Sequence, residues 1–233
     1  MRLNKYIADS GFCSRRKADT LIDDGRVTIG NDLAKVGQQV EEGQKVYVDG
    51  ELIRPRSGDV FIAFHKPYGV ICTSDEDADN TVFDYIDSDE RLIYIGRIDV
   101  ESTGLLLLTN NGDIANKIAS PKFEHEKEYV VTVNKEMNRK FLDGMKKGVM
   151  LDGRVTNPAP VKNLGPKKFK IILKEGRNRQ IRRMCTALGY EVATLKRIRV
   201  MNVKLGELGP GNYRQLTKTE RRELLSTLGI DGR

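Results

Sequence analysis

The residue best placed to do chemistry is Asp99, in the polar loop Gly96-Arg97-Ile98-Asp99. Before it, Leu92-Ile93-Tyr94-Ile95 reads as a buried strand; after it, Leu105 to Leu108 is apolar on both faces, as a central strand would be. A carboxylate on a loop gripped by core strands suits catalysis, because the frame fixes its geometry while the loop admits substrate. The ordinary alternative is a turn aspartate capping its own backbone. Two other sets of residues qualify. Arg177, Arg179, Arg182 and Arg183 open an expected helix from Gln180 to Leu188, stopped by Gly189. Arg2, Lys5, Arg15, Arg16 and Lys17 crowd the amino terminus. Either cluster could bind a polyanion, and either could be a solvated basic face.

The charge balance supports the first option. The chain has 233 residues, a formal charge of +7 and a pI near 9.2. Between Gly176 and Arg199 there are seven basic residues against one acid, Glu191, so nearly the whole excess is concentrated there. Residues 75–90 hold eight acids and no base, which reads as a solvated face turned away from a polyanion. The three cysteines are far apart, and the two histidines lack metal-ligand spacing, so neither a disulfide framework nor a zinc site is indicated. There is no phosphate loop or dinucleotide fingerprint. A polar amino terminus and the absence of any apolar run near ~18 residues point to a soluble, cytoplasmic protein.

These side chains need a frame, and the length allows one sizeable domain with a smaller one. Leu3, Tyr6 and Ile7 have helical spacing. Ser14 is a good N-cap for a second helix that places Ala18, Leu21 and Ile22 on one face and ends at Gly25. Its first turn, Arg15-Arg16-Lys17, puts positive charge on the positive end of the helix dipole, which suggests a bound phosphate. Val27 to Ile29 and Lys45 to Val48 read as strands. Arg54 to Asp59 is polar and aperiodic, marking a linker. Val60 to Phe64 is expected as a strand, His65 to Gly69 as a Pro turn with a solvated lysine, and Val70 to Thr73 as another strand. Ile114 to Ile118 should be a short helix. Glu128 to Val133 is rich in β-branched residues, so Tyr129 points from a strand into core or cleft. A helix over 136–147, an alternating Phe169, Ile171, Leu173 strand, a long strand from Val192 to Val203 and a capped final helix from Thr217 complete the chain.

Three stretches resemble a known family. Gly96-Arg97-Ile98-Asp99 with Ser102-Thr103-Gly104-Leu105 to Asn110, Lys66-Pro67-Tyr68-Gly69, and Gly176-Arg177-Asn178-Arg179-Gln180-Ile181-Arg182-Arg183-Met184 are similar to the motifs of the RsuA/RluB/RluE/RluF family of rRNA pseudouridine synthases. His125 to Val133 and Arg197 to Val203 resemble its large-subunit synthase F branch. The first 55 residues resemble an S4 RNA-binding domain. Ile98 stands where the family often has Leu, and Asn111 where Asp is more usual; neither touches the expected chemistry.

The resemblance implies an α+β chain with three parts: a small S4-like domain over 1–55, a linker over 56–60, and a catalytic domain over 61–233. The catalytic domain would be built on a mixed, mainly antiparallel sheet with flanking helices. It implies an isomerase that cleaves the N1–C1′ bond of a uridine, turns the base and rejoins it through C5, without metal, nucleotide or redox cofactor. The implied partner is 23S ribosomal RNA and the implied state a monomer, with a tRNA as a second RNA left open. Asp99 would be the carboxylate at the sugar, as nucleophile or base, a choice the sequence leaves open. Tyr129 would hold the flipped base, and Arg182 would compensate a buried Asp99 with its planar fork. Arg97 would help displace the base, its ordinary alternative being a loop salt bridge. Arg177, Arg179 and Arg183, with Arg2, Lys5, Arg15, Arg16 and Lys17, would contact RNA. A non-catalytic S4-type RNA-binding or ribosome-assembly protein would use the same basic surface but should have lost Asp99, Tyr129 or Arg182. A DNA-binding regulator would need a helix-turn-helix, zinc or basic-zipper pattern that the chain lacks.

Overall fold

The structure, a computed structural model, describes residues 1–75 and 77–230; Glu76 of the acidic run and the last three residues of the expected catalytic domain lie outside it. The chain divides into two compact units. One comprises Met1–Val60, Ser88–Ile93 and Thr109–Gly112, and the other Phe61–Asp87, Tyr94–Leu108 and Asp113 onward.

In the first unit, helices Leu3–Asp9 and Arg15–Asp23 cover a four-stranded antiparallel sheet ordered Asp32–Leu33, Val27–Ile29, Val46–Val48, Glu51–Ile53. Alternation places Val27, Ile29, Val46 and Val48 on the inner face, against Leu3, Ile7, Ala18, Leu21 and Ile22 from the helices. Ser14 caps the second helix by accepting from the Lys17 amide at 3.2 Å. The linker stretch is tied down: Arg56 pairs with Glu90 at 2.6 Å and donates to the carbonyls of Ser10 and Asp89.

The second unit is built on a nine-stranded sheet. Its main order is Val161–Gly165, Lys168–Leu173, Lys127–Val133, Val192–Val200, Thr103–Thr109, Phe61–Lys66, Tyr213–Gln215; Val203–Lys204 pairs with Val192–Val200, and Ile93–Ile95 with Thr103–Thr109. Val192–Val200 runs parallel to Thr103–Thr109 and antiparallel to Lys127–Val133. The sheet is therefore mixed. Helices Arg139–Lys147 and Gln180–Ala187 bury Phe141, Met145, Ile181 and Met184 against Val131, Phe169, Ile171 and Leu195. Phe141 meets Phe169 edge-on at 5.5 Å.

Gly104 sits at φ +107, and a Cβ there would lie 2.2 Å from the Arg197 carbonyl. Only glycine allows Thr103–Thr109 to approach Val192–Val200 so closely. The central strand is as buried as its apolar run requires, from Gly104 to Thr109.

Three expectations change. Val70 to Thr73 is not a strand: Ile71 makes a single bridge to Thr81, and its backbone bonds go to Asn80 and Val82 around a turn. The strand before it runs on through His65 and Lys66. Val192 to Val203 is not continuous either, because Met201, at φ +50, reverses the chain so that Val203–Lys204 folds back on Arg199 and Val200. No helix among the described residues is long and apolar enough to cross a membrane.

Candidate active site

Asp99 lies at the neck where two cavities meet. One is lined by Asp99, Tyr129, Leu173, Glu175, Gln180, Ile181, Leu195 and Arg197 among others; the other by Ile71, Cys72, Val100 and Asn178; Arg97, Ile98, Asp99, Gly176, Arg177 and Arg179 line both. The loop that carries Asp99 is set by its neighbours. Gly96, at φ +67, turns the chain out of Ile93–Ile95. Buried Ile98 anchors it, and the Ser102 amide donates to the Asp99 carbonyl at 2.9 Å to close a four-residue turn into Thr103–Thr109.

The Asp99 carboxylate accepts no hydrogen bond from the described residues, so it is not the backbone cap of the ordinary reading. Its charged neighbour is Arg182, whose Nε lies 3.9 Å from Oδ2 and 3.6 Å from a Glu101 carboxylate oxygen. The fork is spent elsewhere: one Nη donates to the Glu101 carbonyl at 3.0 Å and to the Ser102 hydroxyl at 3.4 Å, the other to the Val192 carbonyl at 3.5 Å. The geometry thus differs from the buried, forked pair expected. Asp99 keeps 29 % of its side chain exposed, and Arg182 is a strut under the Asp99 turn that leaves its Nε buried and unpaired.

Tyr129 is half-buried on Lys127–Val133, and lies opposite Ile171 on one neighbouring strand and Arg197 on the other. Tyr129 and Arg197 therefore share a face and line the same cavity. Arg97 is exposed and has no ion pair among the described residues, unlike the loop salt bridge of its ordinary reading. Arg177 is held by the carbonyls of Arg154 and Val155 and by Glu175. Arg179 caps its helix from a left-handed backbone, φ +48, and pairs with Glu101 at 2.7 Å, which holds the Glu101 carboxyl below its ordinary value. Arg183 pairs with Asp152 and lines neither cavity. Arg2, Lys5, Arg15, Arg16 and Lys17 belong to the other unit; Lys5 is paired with Asp9, while Arg2, Arg15, Arg16 and Lys17 are exposed.

Sequence reasoning missed Lys66. Expected as a solvated turn lysine, it is fully buried, and its ammonium donates to the carbonyls of Pro67, Val70 and Val100 at 2.7, 2.8 and 3.3 Å. Burial lowers its pKa, opposed by the negative charge of Asp99. Since Val100 follows Asp99, the lysine pins the far side of the Asp99 loop. The available signal was the unbroken apolar run Phe61 to Phe64, which could have been extended through His65 and Lys66 as a strand buried on both faces. Glu101, with only loop position to mark it, was missed as well.

The arrangement offers an unencumbered carboxylate on a pinned loop, a tyrosine facing the same cavity, and arginines around the mouth. A family model described as RNA pseudouridylate synthase matches residues 60–187, and an S4 domain model matches residues 1–46. The chain is 44% identical over 230 residues to the dual-specificity RNA pseudouridine synthase RluF of Escherichia coli K12, covering 98% of this chain and 79% of that protein. It is 38% identical over 232 residues to the ribosomal large subunit pseudouridine synthase B of Bacillus subtilis, covering 96% of this chain and 95% of the other. A crystal structure of a pseudouridylate synthase superposes with a TM-score of 0.71 at 32% identity, covering 96% of this chain and 99% of that one. With an S4 domain at its amino end and a synthase model over more than half its length, the chain belongs to the RNA pseudouridylate synthase family, as a member of its RsuA branch, and is an isomerase.

Proposed function

We propose that this enzyme isomerises one uridine of large-subunit (23S) ribosomal RNA to pseudouridine, with Asp99 as the catalytic carboxylate. The observation that carries the reading is the state of Asp99: its loop is held by backbone bonds, while its carboxylate accepts no hydrogen bond from the described residues and lines both cavities. A uridine inside folded RNA must leave its stack before its sugar can be reached. Tyr129 offers the flipped base an aromatic face, and Arg97, exposed and with no ion pair among the described residues, can occupy the space the base vacates. The ionised Asp99 then acts at the sugar as the N1–C1′ bond breaks, either bonding C1′ until C5 displaces it or taking a C2′ proton that it later returns; C5 joins C1′, loses its proton, and N1 gains one. Arg182 keeps positive charge beside Asp99 and braces its turn, and Lys66 braces the other side.

Arg177 and Arg179 would guide phosphates at the mouth, with Arg183 beyond it, and Arg2, Lys5, Arg15, Arg16 and Lys17 would hold RNA from the S4-like domain. We take the domains as 1–55 and 61–233, joined by 56–60. A monomer is the expected state, to be checked by light scattering, and an RNA substrate fits a cytoplasmic enzyme. The similarity to a large-subunit synthase and to dual-specificity synthases favours the large-subunit target, and makes a tRNA the second RNA to test.

Pseudouridine mapping of ribosomal and transfer RNA from cells with and without the protein tests this. One large-subunit position should lose its modification without the protein and regain it with wild type but not with Asp99→Asn. If every large-subunit position stays modified in the deletion strain, the target is wrong.

A further inference from the structure

Beside the Asp99 loop is an apolar surface that the proposed chemistry does not use. Tyr68 is 71% exposed, Val100 42% and Ile71 40%. Scattered exposed apolar residues are ordinary, but the backbone segments that carry these three are tied together. The Gly69 amide, next to Tyr68, donates to the Val100 carbonyl at 2.9 Å, and Ile71 and Val100 line the same cavity as Asp99. The turn that holds Tyr68 is also unusually fixed for an exposed loop. Lys66 donates to the carbonyls on either side of it and to Val100, and Asn80 donates to the Gly69 carbonyl at 3.0 Å. An aromatic ring on so rigid a turn is presented to solvent at little entropic cost. The Tyr68 hydroxyl has no partner among the described residues, so hydrogen bonding does not explain its position.

We propose that Tyr68, with Ile71 and Val100, forms a ledge on which a base of the substrate RNA adjacent to the reacting uridine stacks. The inference rests on the reading that RNA enters the Asp99 cleft. Charge selects the occupant. Arg97, Arg177 and Arg179 line the cavity that contains Ile71 and Val100, whereas exposed Asp75, Asp77 and Asp79 lie in the segment whose Asn80 is bonded to Gly69 and Ile71. A ribose-phosphate strand is drawn to the arginines and repelled by the aspartates, which leaves an unpaired base, with no charge of its own, to cover the apolar surface between them. A base held there would fix the register of the strand so that its neighbour meets Asp99.

The test uses the full chain with Tyr68→Ala, Tyr68→Leu and Tyr68→Phe, and two probes. The first is an unmodified large-subunit ribosomal RNA transcript, followed for isomerisation. The second is a short single-stranded RNA with 2-aminopurine next to a uridine, followed by fluorescence on binding. Stacking on aromatics is worth about 5- to 100-fold in affinity per base, so Tyr68→Ala should raise KM by that factor while kcat at saturating RNA stays near wild type. Tyr68→Leu should fall between, and Tyr68→Phe should behave as wild type. The 2-aminopurine quenching seen with wild type should disappear in Tyr68→Ala and persist in Tyr68→Phe. Unchanged KM and quenching in Tyr68→Ala overturn the ledge, as does a fall in kcat that Tyr68→Phe does not rescue, which would make the residue a structural prop. A wild-type protein that leaves the transcript unmodified refutes the assigned target, and the fluorescence comparison still judges the ledge.

Discussion

Two helices of this molecule open with a cluster of positive charge, and they use it in opposite ways. Arg15–Asp23 begins Arg15-Arg16-Lys17 with no acid in its first turn; all three side chains are exposed, and none has an ion pair among the described residues. Gln180–Ala187 also lacks an acid in its first turn, but its arginines are engaged: Arg177 with two carbonyls and Glu175, Arg179 with Glu101, Arg182 with the Glu101 carbonyl and Ser102, Arg183 with Asp152. The first cluster is unfavourable against the helix dipole and has no ion pair to offset it among the described residues. The second is offset locally, and two of its arginines, Arg179 and Arg182, reach the turn that carries Asp99 through Glu101 and Ser102. Sequence density of arginine is therefore a poor guide to role: the free cluster is suited to phosphate alone, and the engaged one also braces the site whose mouth it charges.

The strongest way to sharpen the comparison is to remove what the engaged cluster surrounds. Asp99→Asn keeps the shape of the loop, whose backbone bonds do not use the carboxylate. Single-turnover isomerisation should fall by more than ~10³-fold, with RNA affinity and thermal stability near wild type. Turnover within tenfold of wild type would remove Asp99 from the chemistry.

Next in size is Arg182→Met, which keeps the stem and deletes the fork. The variant loses the bonds to the Glu101 carbonyl and Ser102 and the charge beside Asp99. Because Asp99 is partly solvated and the separation is 3.9 Å, the loss should be smaller than for a buried pair: about 10- to 100-fold in the single-turnover rate at saturating RNA. A wild-type rate would reduce Arg182 to a surface contact. Loss of binding with an intact rate would move it into the class of Arg15 and Arg16.

How far the site could be foreseen follows the same division. The strand after the Asp99 loop was legible because burial on both faces leaves a period-free apolar run that composition alone marks, and Gly104 to Thr109 is buried throughout, whereas Ile93 and Tyr94 of the strand before it are only partly buried. The S4-like unit was legible because Ser14, Gly25 and the alternation of Val27 and Ile29 are local signals. Lys66 was not, because a lysine reads as solvated unless its backbone carbonyl partners are known, and two of the three come from a turn and a loop that only the tertiary fold assembles. The hairpin at Met201 was missed because a methionine at φ +50 violates the local preference that would mark a turn. The Arg182–Asp99 pair is present, but through Nε and at 3.9 Å, while the fork bonds the Glu101 carbonyl and Ser102: motif position says which arginine is near, and only packing says which oxygen each nitrogen meets.

The free cluster should respond through affinity alone. Arg15→Ala with Arg16→Ala should leave the melting temperature and the rate at saturating RNA unchanged, and should weaken RNA binding by about tenfold at moderate salt. The slope of log affinity against log salt should drop by about 1.5, as expected for two lost phosphate contacts. A change in melting temperature with an unchanged slope would place these arginines in the fold and erase the contrast with the engaged helix.

The smallest effect is expected inside the engaged cluster, at Glu101, and it is the most discriminating. Glu101 ties Arg179 to the turn after Asp99, but the pair is open to water, so screening limits its worth. Glu101→Gln should keep the Arg182 bond, which uses the backbone carbonyl, and lose only the Arg179 ion pair. We expect a change of at most ~5-fold in KM, with kcat preserved, as Arg179 is released toward RNA. The sign with pH follows from its lowered folded-state pKa: the ion pair is complete above the ordinary glutamate value and is lost only as pH falls through the lower folded value, so wild type and Glu101→Gln should converge at acid pH and differ at neutral pH. If Glu101→Gln instead lowers kcat at neutral pH as deeply as Arg182→Met, the carboxylate itself braces Asp99, and the engaged cluster must be redrawn with Glu101 at its centre.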